Sequence, residues 1–540
     1  MQMRDKSTYH LQRSGELKSA RSNLESVWQD VDDYFGGGEG INFKRLPGQE
    51  KVTMSDSSPE QALLSYTRFL GDITRKRGTQ WIKAKFDDDD LDKVQQLAEL
   101  RDAIDDRMLR AINKPEARFA ENAWKADLSL AKYAIAFMFE DENFTRNRLR
   151  FRTYSPRDCY IDEDQSGNLD TVFRHFQYNA RQAKQRWGDA VHAKVKKAYV
   201  KNDPKKFNFL HVTIPNEDRK LYGIHKSIDK PFLTSYLDVE NEHFLEESGY
   251  FENPWIIPRQ NVMAGSIYGY SMAMSGLPDS RMLQFIADAL MDATEYALNP
   301  TLMSYSKQTL RMGPGIINHY DPNQLQGRPP VEALQLGGDI AVGMQHQIET
   351  RQQMMKFFLE DVFSLPDRSN MTAEEIRRRN DDLSRVLGPM TDTLLPDYNG
   401  RIATRSFGIM SRRKQFVIEG QDYSDLEDRV QFEYENPVEQ LQKDTEKAFM
   451  QETTSYVVNL ASESQQPELL DNLDLDEITR DFADINLKSK YIVAKDKVDA
   501  KRAARAEQQQ AAAAAQQMVG LSDAGASIAE NLQVIEGGMA

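Results

Sequence analysis

One stretch constrains the fold of this chain more than any other: Met371 to Lys414, which reads MTAEEIRRRNDDLSRVLGPMTDTLLPDYNGRIATRSFGIMSRRK. Thr372 and Glu375 form a capping box, the reciprocal pairing that marks a helix start. Apolar residues then recur at Ile376, Leu383, Leu387, Met390, Leu394, Tyr398 and Ile402, and after a slip of register at Phe407 and Met410. Steps of three, four or seven keep such residues on one helical face. Arg412, Arg413 and Lys414 close the pattern with the charge a helix C-terminus favours. Unbroken, this helix would be roughly 65 Å long at about 1.5 Å per residue, so it would span several layers of the molecule. Gly388, Pro389 and Pro396 interrupt it, because proline lacks an amide donor and clashes with the preceding turn. The expectation is a kinked helix or two abutting helices. Two ordinary core helices with a turn at Gly388-Pro389 fit the periodicity equally well.

What precedes this stretch has its own geometry. Pro278 opens a helix in which Leu283, Ile286, Leu290, Ala293 and Ala297 repeat at three and four, and Asn299-Pro300 ends it. Residues 299–339 then carry five glycines and five prolines, with short strand-like pieces such as GIINHY between them. Ile340 opens another helix with Met344, Ile348, Met355, Leu359 and Val362 at near-heptad spacing, and Ser364-Leu365-Pro366 ends it. Two helices of roughly 30 Å each thus flank a compact insertion. The simplest arrangement is an antiparallel helical hairpin with a small module at its tip. Each helix has only a narrow apolar seam, so its other faces meet solvent or a neighbouring copy.

At 540 residues the chain exceeds one compact core, and two to four domains are expected. Residues 10–35 read as a helix ended by Gly36 to Gly38, and a second starts at Ser58-Pro59. Helical patterns run to about Ala111 and again from Glu116 to Phe139, where Phe119, Ala123, Leu130, Ala134 and Phe137 form a core face. From Leu149 the texture changes to short β-rich segments: LRFRTYS, DCYID, TVFRHFQ, FLHVTIP and FLTSYLDV. Two short helices, Ala180 to Trp187 and Ala190 to Val200, interrupt them. This is α+β, mainly α, and not the strand-helix alternation of a parallel nucleotide-binding sheet. After Lys414, QFVIEG and VQFEYEN read as returning strands, residues 438–459 and 467–483 as helical, and Lys488 to Met518 as a segment of high helix propensity with almost no core face. Gly520 to Ala540 reads as a loose tail.

The search for chemistry returns little. A net charge of −15 weighs against a protein that grips nucleic-acid phosphates tightly, though not against one that lets nucleic acid pass. The single cysteine, Cys159, excludes an intrachain disulfide and a cysteine-based metal cluster. No apolar run approaches a membrane span, and the N-terminus has no signal-peptide core. There is no phosphate loop, no HExxH and no GxSxG, and the eight histidines lack metal-ligand spacing. Asp87 to Asp90 suits a helix N-terminus better than a cation site. Asp162, Asp164, Ser166, Asn168 and Asp170 match the opening of a calcium loop, but the twelfth position is Phe173 where a glutamate is needed. A hairpin turn with Ser166-Gly167 at its tip accounts for them. No catalytic, cofactor-binding or metal-binding residues are therefore assigned, and a structural or mechanical role is expected.

Taken in order, the hairpin with a tip module, the short link and the long helix resemble the portal proteins, or head-to-tail connectors, of short-tailed double-stranded DNA bacteriophages. TAEEIRRRNDDLSRVLGP followed by RIATRSFGIMSRR is similar to that family's Thr-Ala-x-Glu helix with its Leu-Gly-Pro and Arg-x-Phe stations. GSIYGYSMAMSGLPDSRMLQ resembles its approach to the first stem helix, and RTYSPRDCYIDEDQSGNLDTVFRHF its wing sheet. The likeness covers about Asn143 to Glu435. Pro396 departs from the pattern, in which a proline falls nearer Arg401.

The resemblance implies a ring, usually of twelve copies, at one capsid vertex of the virion. Double-stranded DNA is pumped in through it, without sequence specificity, by a terminase motor and later leaves the same way. Tail or adaptor proteins, capsid and scaffolding proteins are the implied partners, with assembly in the host cytoplasm and no membrane. On this expectation 1–277 is a helical and β-rich wing, 278–298 the first stem helix, 299–339 the clip and 340–363 the second stem helix. Residues 364–371 are the tunnel loop, with Ser364, Leu365, Pro366, Asp367, Arg368, Ser369 and Asn370 facing the channel. Residues 372–436 are the spine helix and wing strands, 437–519 the crown helices and 520–540 the tail. Arg351, Lys356 and Arg368 are the basic residues expected to face DNA. The alternatives are another virion or scaffolding protein assembling through coiled-coil contacts, and a nucleic-acid-processing enzyme.

Overall fold

The computed structural model describes residues 3–36, 54–75, 80–86, 95–143, 148–220, 229–300, 302–304, 331–333, 340–359, 385, 388–418, 421–422, 430–434, 437–463, 473–474, 478 and 497–511. The chain divides into two units, Met1–Ala84 with Asp105–Gln442, and Lys85–Ile104 with Lys443–Ala540. In chain order the elements begin α1 (Met3–Phe35), α2 (Ser58–Arg75), β1 (Ile82–Phe86), α3 (Gln95–Ile112), α4 (Phe119–Tyr133), β2 (Phe137–Asn143) and β3 (Arg148–Tyr154). They continue with β4 (Cys159–Glu163), β5 (Leu169–Asn179), α5 (Ala180–Trp187), α6 (Ala193–Val200), β6 (Lys206–Pro215), β7 (Phe232–Asp238), β8 (His243–Tyr250) and β9 (Trp255–Ile256). Then follow α7 (Met272–Ser275), α8 (Leu277–Leu298), β10 (Leu302–Ser304), β11 (Val331–Ala333), α9 (Ile340–Phe357), α10 (Arg401–Arg412), β12 (Val417–Ile418), β13 (Gln421–Asp422), β14 (Val430–Tyr434) and α11 (Pro437–Glu463). The mixture of helix and strand agrees with the α+β expectation.

The centre of the first unit is a five-stranded antiparallel sheet in the order β4-β5-β6-β7-β8. Side chains alternate across it with the two-residue period of a strand. Phe173, Leu210, Val212, Ile214, Leu233 and Leu237 pack on one face with Leu17 of α1. Phe176, Phe207, Phe209 and Tyr236 pack on the other with Trp187 of α5 and Val195 of α6. The chain can turn from β5 into α5 because Asn179 and Gln182 complete a capping box, each side chain accepting the other's backbone amide at 2.8 and 3.0 Å. The calcium-like motif is the β4–β5 hairpin turn. Asp164 accepts the amides of Ser166 and Asn168 at 2.7 and 2.9 Å, and Gly167 supplies φ +82.

Several boundaries differ from the sequence reading: the first helix starts at Met3 and not at residue 10, the second short helix at Ala193 and not Ala190, and one difference changes the type of element. The helix expected over Glu116 to Phe139 stops at Tyr133. Ala134 takes a left-handed conformation, its amide closes on the Leu130 carbonyl at 2.9 Å, and Phe137 opens β2 instead of lying on a helical face. The run Ile135 to Phe139 is apolar enough for either structure; pairing with β3 and β9 decides it. The second unit is described mainly through helical residues, including 497–511, which are almost wholly exposed.

β2 also carries a buried carboxylate. Burial pushes Glu140 up to about 8, against the opposing hydrogen bond from Ser406 and the charge of Arg405. One of its oxygens accepts from the Ser406 hydroxyl at 2.6 Å, and the other has no partner among the described residues. A carboxyl whose folded pKa is raised binds its proton more tightly when folded. Its contribution is fully present below the unfolded value of 4.5 and is lost as pH rises through about 8. Glu140→Gln should therefore flatten the decline in melting temperature between pH 5 and 9, measured by calorimetry against the parent. An unchanged pH profile would show that Glu140 does not titrate in this window.

Candidate functional site

The residues with the strongest case for function lie where the hairpin leaves the body of the first unit. α8 and α9 form that hairpin, and β10 pairs antiparallel with β11 beyond them, with Leu302 opposite Ala333. Gly343 lets the helices meet: a Cβ there would lie 2.8 Å from Leu290 Cδ2. The seam is narrower than the sequence suggests. Leu283 and Ala287 are buried on α8, and Thr350 and Met354 on α9. Met344 and Ile348, expected on the seam, are 54% and 44% exposed. The heptad reading misplaces the face because α9 buries only its C-terminal end against the body. Its helix stops at Phe357, short of the expected 363, and Leu359 turns left-handed at φ 63.

Asp56 clamps this base. Its side chain accepts the Ser58 amide at 2.9 Å, which caps α2. The other oxygen accepts from Gln347 at 3.1 Å and Arg351 at 2.8 Å, both on α9. Gln284 of α8 completes the knot, accepting the Ser55 and Asp56 amides at 2.8 and 3.0 Å and donating to the Asp56 carbonyl at 2.7 Å. Burial opposes the Asp56 charge, but hydrogen bonds from Ser58 and Arg351 outweigh it and hold the carboxyl below its ordinary 3.8. Phe358, 1% exposed, wedges its ring between Phe35 and Tyr66.

Behind the hairpin lies the C-terminal part of the long stretch. Residues 388–395 are α-helical, Pro396–Gly400 forms a π-helical turn, and α10 follows. Gly388 and Pro389 are the first described residues of this run after Arg385, and Pro396 opens the wide turn. A proline cannot donate to the preceding turn, and a π-bulge is one way to absorb the missing bond. The wide turn sends Tyr398 and Asn399 inward. The Tyr398 hydroxyl donates to Asp127 at 3.1 Å, and Asn399 donates to the Thr74 carbonyl at 2.7 Å. Arg75 pairs with the same Asp127 at 2.5 Å and stacks 4.3 Å from the Tyr398 ring. Burial alone would weaken the Arg75 charge; Asp127 reverses that and raises its pKa. Further on, Arg405 donates to Glu252 at 2.7 Å and Ser406 to Glu140, while Phe407 packs against Phe416 and Phe432. Leu394, Tyr398, Ile402, Phe407 and Met410 are buried, as their spacing requires.

The structure brings Arg351 into the Asp56 knot while leaving its side chain 42% exposed, and Lys356 is exposed in the last turn of α9. Ser364, Leu365, Pro366, Asp367, Arg368, Ser369 and Asn370 lie outside the described residues, as do Asp87 to Asp90, Thr372 to Leu383, Leu387, Gly520 to Ala540 and most of 299–339. Among the described residues no group of histidines, cysteines or carboxylates is placed to hold a metal ion, and no helix is long and apolar enough to cross a membrane. The sequence reading missed Asp56 and Gln284. Their signal was local, an Asp two residues before Ser58-Pro59 at a helix start, but their partners are more than 200 positions away.

A family model described as Bacteriophage head to tail connecting protein matches residues 8–486. The chain is similar to the portal protein of Salmonella phage epsilon15, at 24% identity over 92% of this chain and 91% of the relative. It is also similar to a probable portal protein of Bordetella phage BPP-1, at 23% identity over 97% and 95%. A chain from the virion of a native gene transfer agent particle aligns over 78% of this chain and 88% of its own, at 8% identity and a TM-score of 0.34, too low to assign a fold.

The knot makes a specific prediction. Asp56→Ala should cost about 2–3 kcal/mol at the hairpin base, the sum expected for one cap and charge-assisted hydrogen bonds. Hydrogen exchange should accelerate over 277–298 and 340–357 and stay unchanged in the β4–β8 sheet. Because the Asp56 pKa is lowered, its stabilisation is present above the unfolded 3.8 and fades as pH falls below it, so acidification should reproduce the same regional loss. Uniform acceleration across the sheet as well would contradict a local clamp.

Proposed function

We propose, on the premise that this chain belongs to the bacteriophage head to tail connecting proteins, that it is the portal subunit of its phage. The protein is a structural component of the virion at one capsid vertex and forms the channel through which double-stranded DNA is packaged and ejected. The observation that carries this reading is the α8–α9 hairpin, anchored at one end and bearing large exposed apolar side chains among its charged ones. Phe285 is 73% exposed, Met291 61%, Leu298 77% and Val342 65%, too much apolar surface for a helix pair that meets only water. Neighbouring copies in a closed ring of twelve would bury it.

In this proposal residues 1–277 form the wing, 278–298 and 340–363 the stem, 299–339 the clip and 364–371 the tunnel loop. Residues 372–436 form the spine helix and wing strands, 437–519 the crown and 520–540 the tail. The clip docks the terminase motor and then tail or adaptor proteins, while the wing meets capsid and scaffolding proteins. The acidic chain, at −15, disfavours tight phosphate binding, so DNA slides. Arg351, Lys356 and Arg368 supply weak rings of positive charge along the channel, with Ser364 to Asn370 nearest the DNA. The role is mechanical, and no cofactor is invoked.

Replacing 299–339 by a short glycine-serine linker tests the assignment. The expected outcome is a protein with the parent's wing stability that enters capsids but yields no DNA-filled, tailed particles when it complements a portal-deficient phage. Filled and tailed particles from that variant would refute the clip assignment.

A further inference from the structure

Between the β2–β3 pair and the helix-covered face of the five-stranded sheet lies a cavity of about 490 Å³. Its lining is unusual for an acidic chain. Arg150 and Arg152 come from β3, Arg174 from β5 and Arg186 from α5, and Asp141 is the one carboxylate among the lining residues. Strand alternation explains the convergence: residues 150, 152 and 154 share one face of β3, and 174, 176 and 178 share one face of β5.

These guanidinium groups are positioned by aromatic rings more than by acids. Arg174 lies 3.6 Å from the Tyr154 ring centre and 4.5 Å from that of Phe176, and Arg186 lies 4.4 Å from that of Tyr236. An arginine stacked by its face keeps its in-plane N–H edge for an acceptor. Arg174 Nε is buried with no acceptor among the described residues. His211 forms part of the floor, stacked on Tyr236 at 4.3 Å and bonded to Thr234 at 2.8 Å. Burial first, then the charges of Arg174 and Arg186, drive its pKa well below the ordinary value, so it is neutral. Four arginines against one aspartate leave three formal positive charges among the lining side chains, offset in part by Asp158 acting on Arg174 and Glu246 acting on Arg186. Such a concentration in a concave, partly desolvated space calls for an anion of matching charge.

We propose that this cavity is a binding site for a small, multiply charged phosphate, of the class of pyrophosphate or a nucleoside diphosphate. The volume falls within the range of small-molecule sites, roughly 300–1,000 Å³. A single carboxylate would leave most of the lining charge unmatched, whereas a diphosphate presents several oxygens to the forked donors. The site is independent of the assembly proposed above.

Isothermal titration of the full-length protein with pyrophosphate and, separately, with ADP tests it. Saturable binding of pyrophosphate is expected, and tighter binding of ADP would show that the rings also hold a base. Arg150→Gln changes an exposed side chain and should leave the melting temperature unaltered while weakening binding about tenfold or more. Arg186→Gln should also lose the stacking on Tyr236 and weaken binding as much. Gln185→Glu, which adds a carboxylate to the lining, should weaken it similarly. Arg148→Gln should have no effect, because Arg148 pairs with Glu116 and does not line the cavity. The proposal fails if neither ligand binds saturably, if the lining variants bind as well as the parent, if Arg148→Gln is as harmful, or if a DNA duplex displaces pyrophosphate from the site.

Discussion

One buried carboxylate, Asp56, ties both ends of the hairpin base together, beside the Phe358 wedge and the Ser280 bond to the Tyr34 carbonyl. It holds the start of α2 and two side chains of α9, while the backbone beside it is gripped by Gln284 of α8. Two helices far apart in sequence thus share one charge, and a third is tied to the backbone that carries it. Such a group is stable only when fully satisfied, because an unpaired buried carboxylate costs more than any one of its bonds returns. Among the described residues, the outer part of the hairpin has no comparable buried clamp. Its exposed phenylalanine, methionines and leucine are therefore the natural place for neighbouring copies to contribute.

The long helical stretch solves a second problem. Pro396 removes one hydrogen bond from the middle of a helix, and the π turn that follows widens the spiral by one residue. That widening aims Tyr398 and Asn399 at the Arg75–Asp127 pair and the end of α2. α10 then continues with Arg405, Ser406 and Phe407 each tied to a different element. Gly408 permits this closeness, since a Cβ there would sit 2.2 Å from Glu252 Oε1, an atom already held by Arg412.

Much of this was legible in the sequence wherever a pattern is local. The buried face at Leu394, Tyr398, Ile402, Phe407 and Met410 follows from periodicity. Four of the five strands of the central sheet follow from β-rich segments bounded by polar turns, and α5 from its short helical pattern, while β8 was not recognised. What failed was set by distant partners. Phe137 left the expected helix because it pairs with Tyr154 of β3 while the next residues of β2 pair with β9, and α9 turned a different face inward because only its end meets the body. The Asp56 knot and the arginine-lined cavity were invisible for the same reason. Each gathers residues from elements separated by loops whose paths no spacing rule supplies. The alternate arginines of RLRFRTY stand in a β-rich segment, but no spacing rule brings β5 to face them.

The account rests on closure of many copies into a ring, and top-view electron micrographs of the purified full-length protein test this most directly. The account predicts closed rings with a central channel wide enough for a DNA duplex, about twelve subunits around. Monomers or elongated dimers without a channel under all assembly conditions would contradict it.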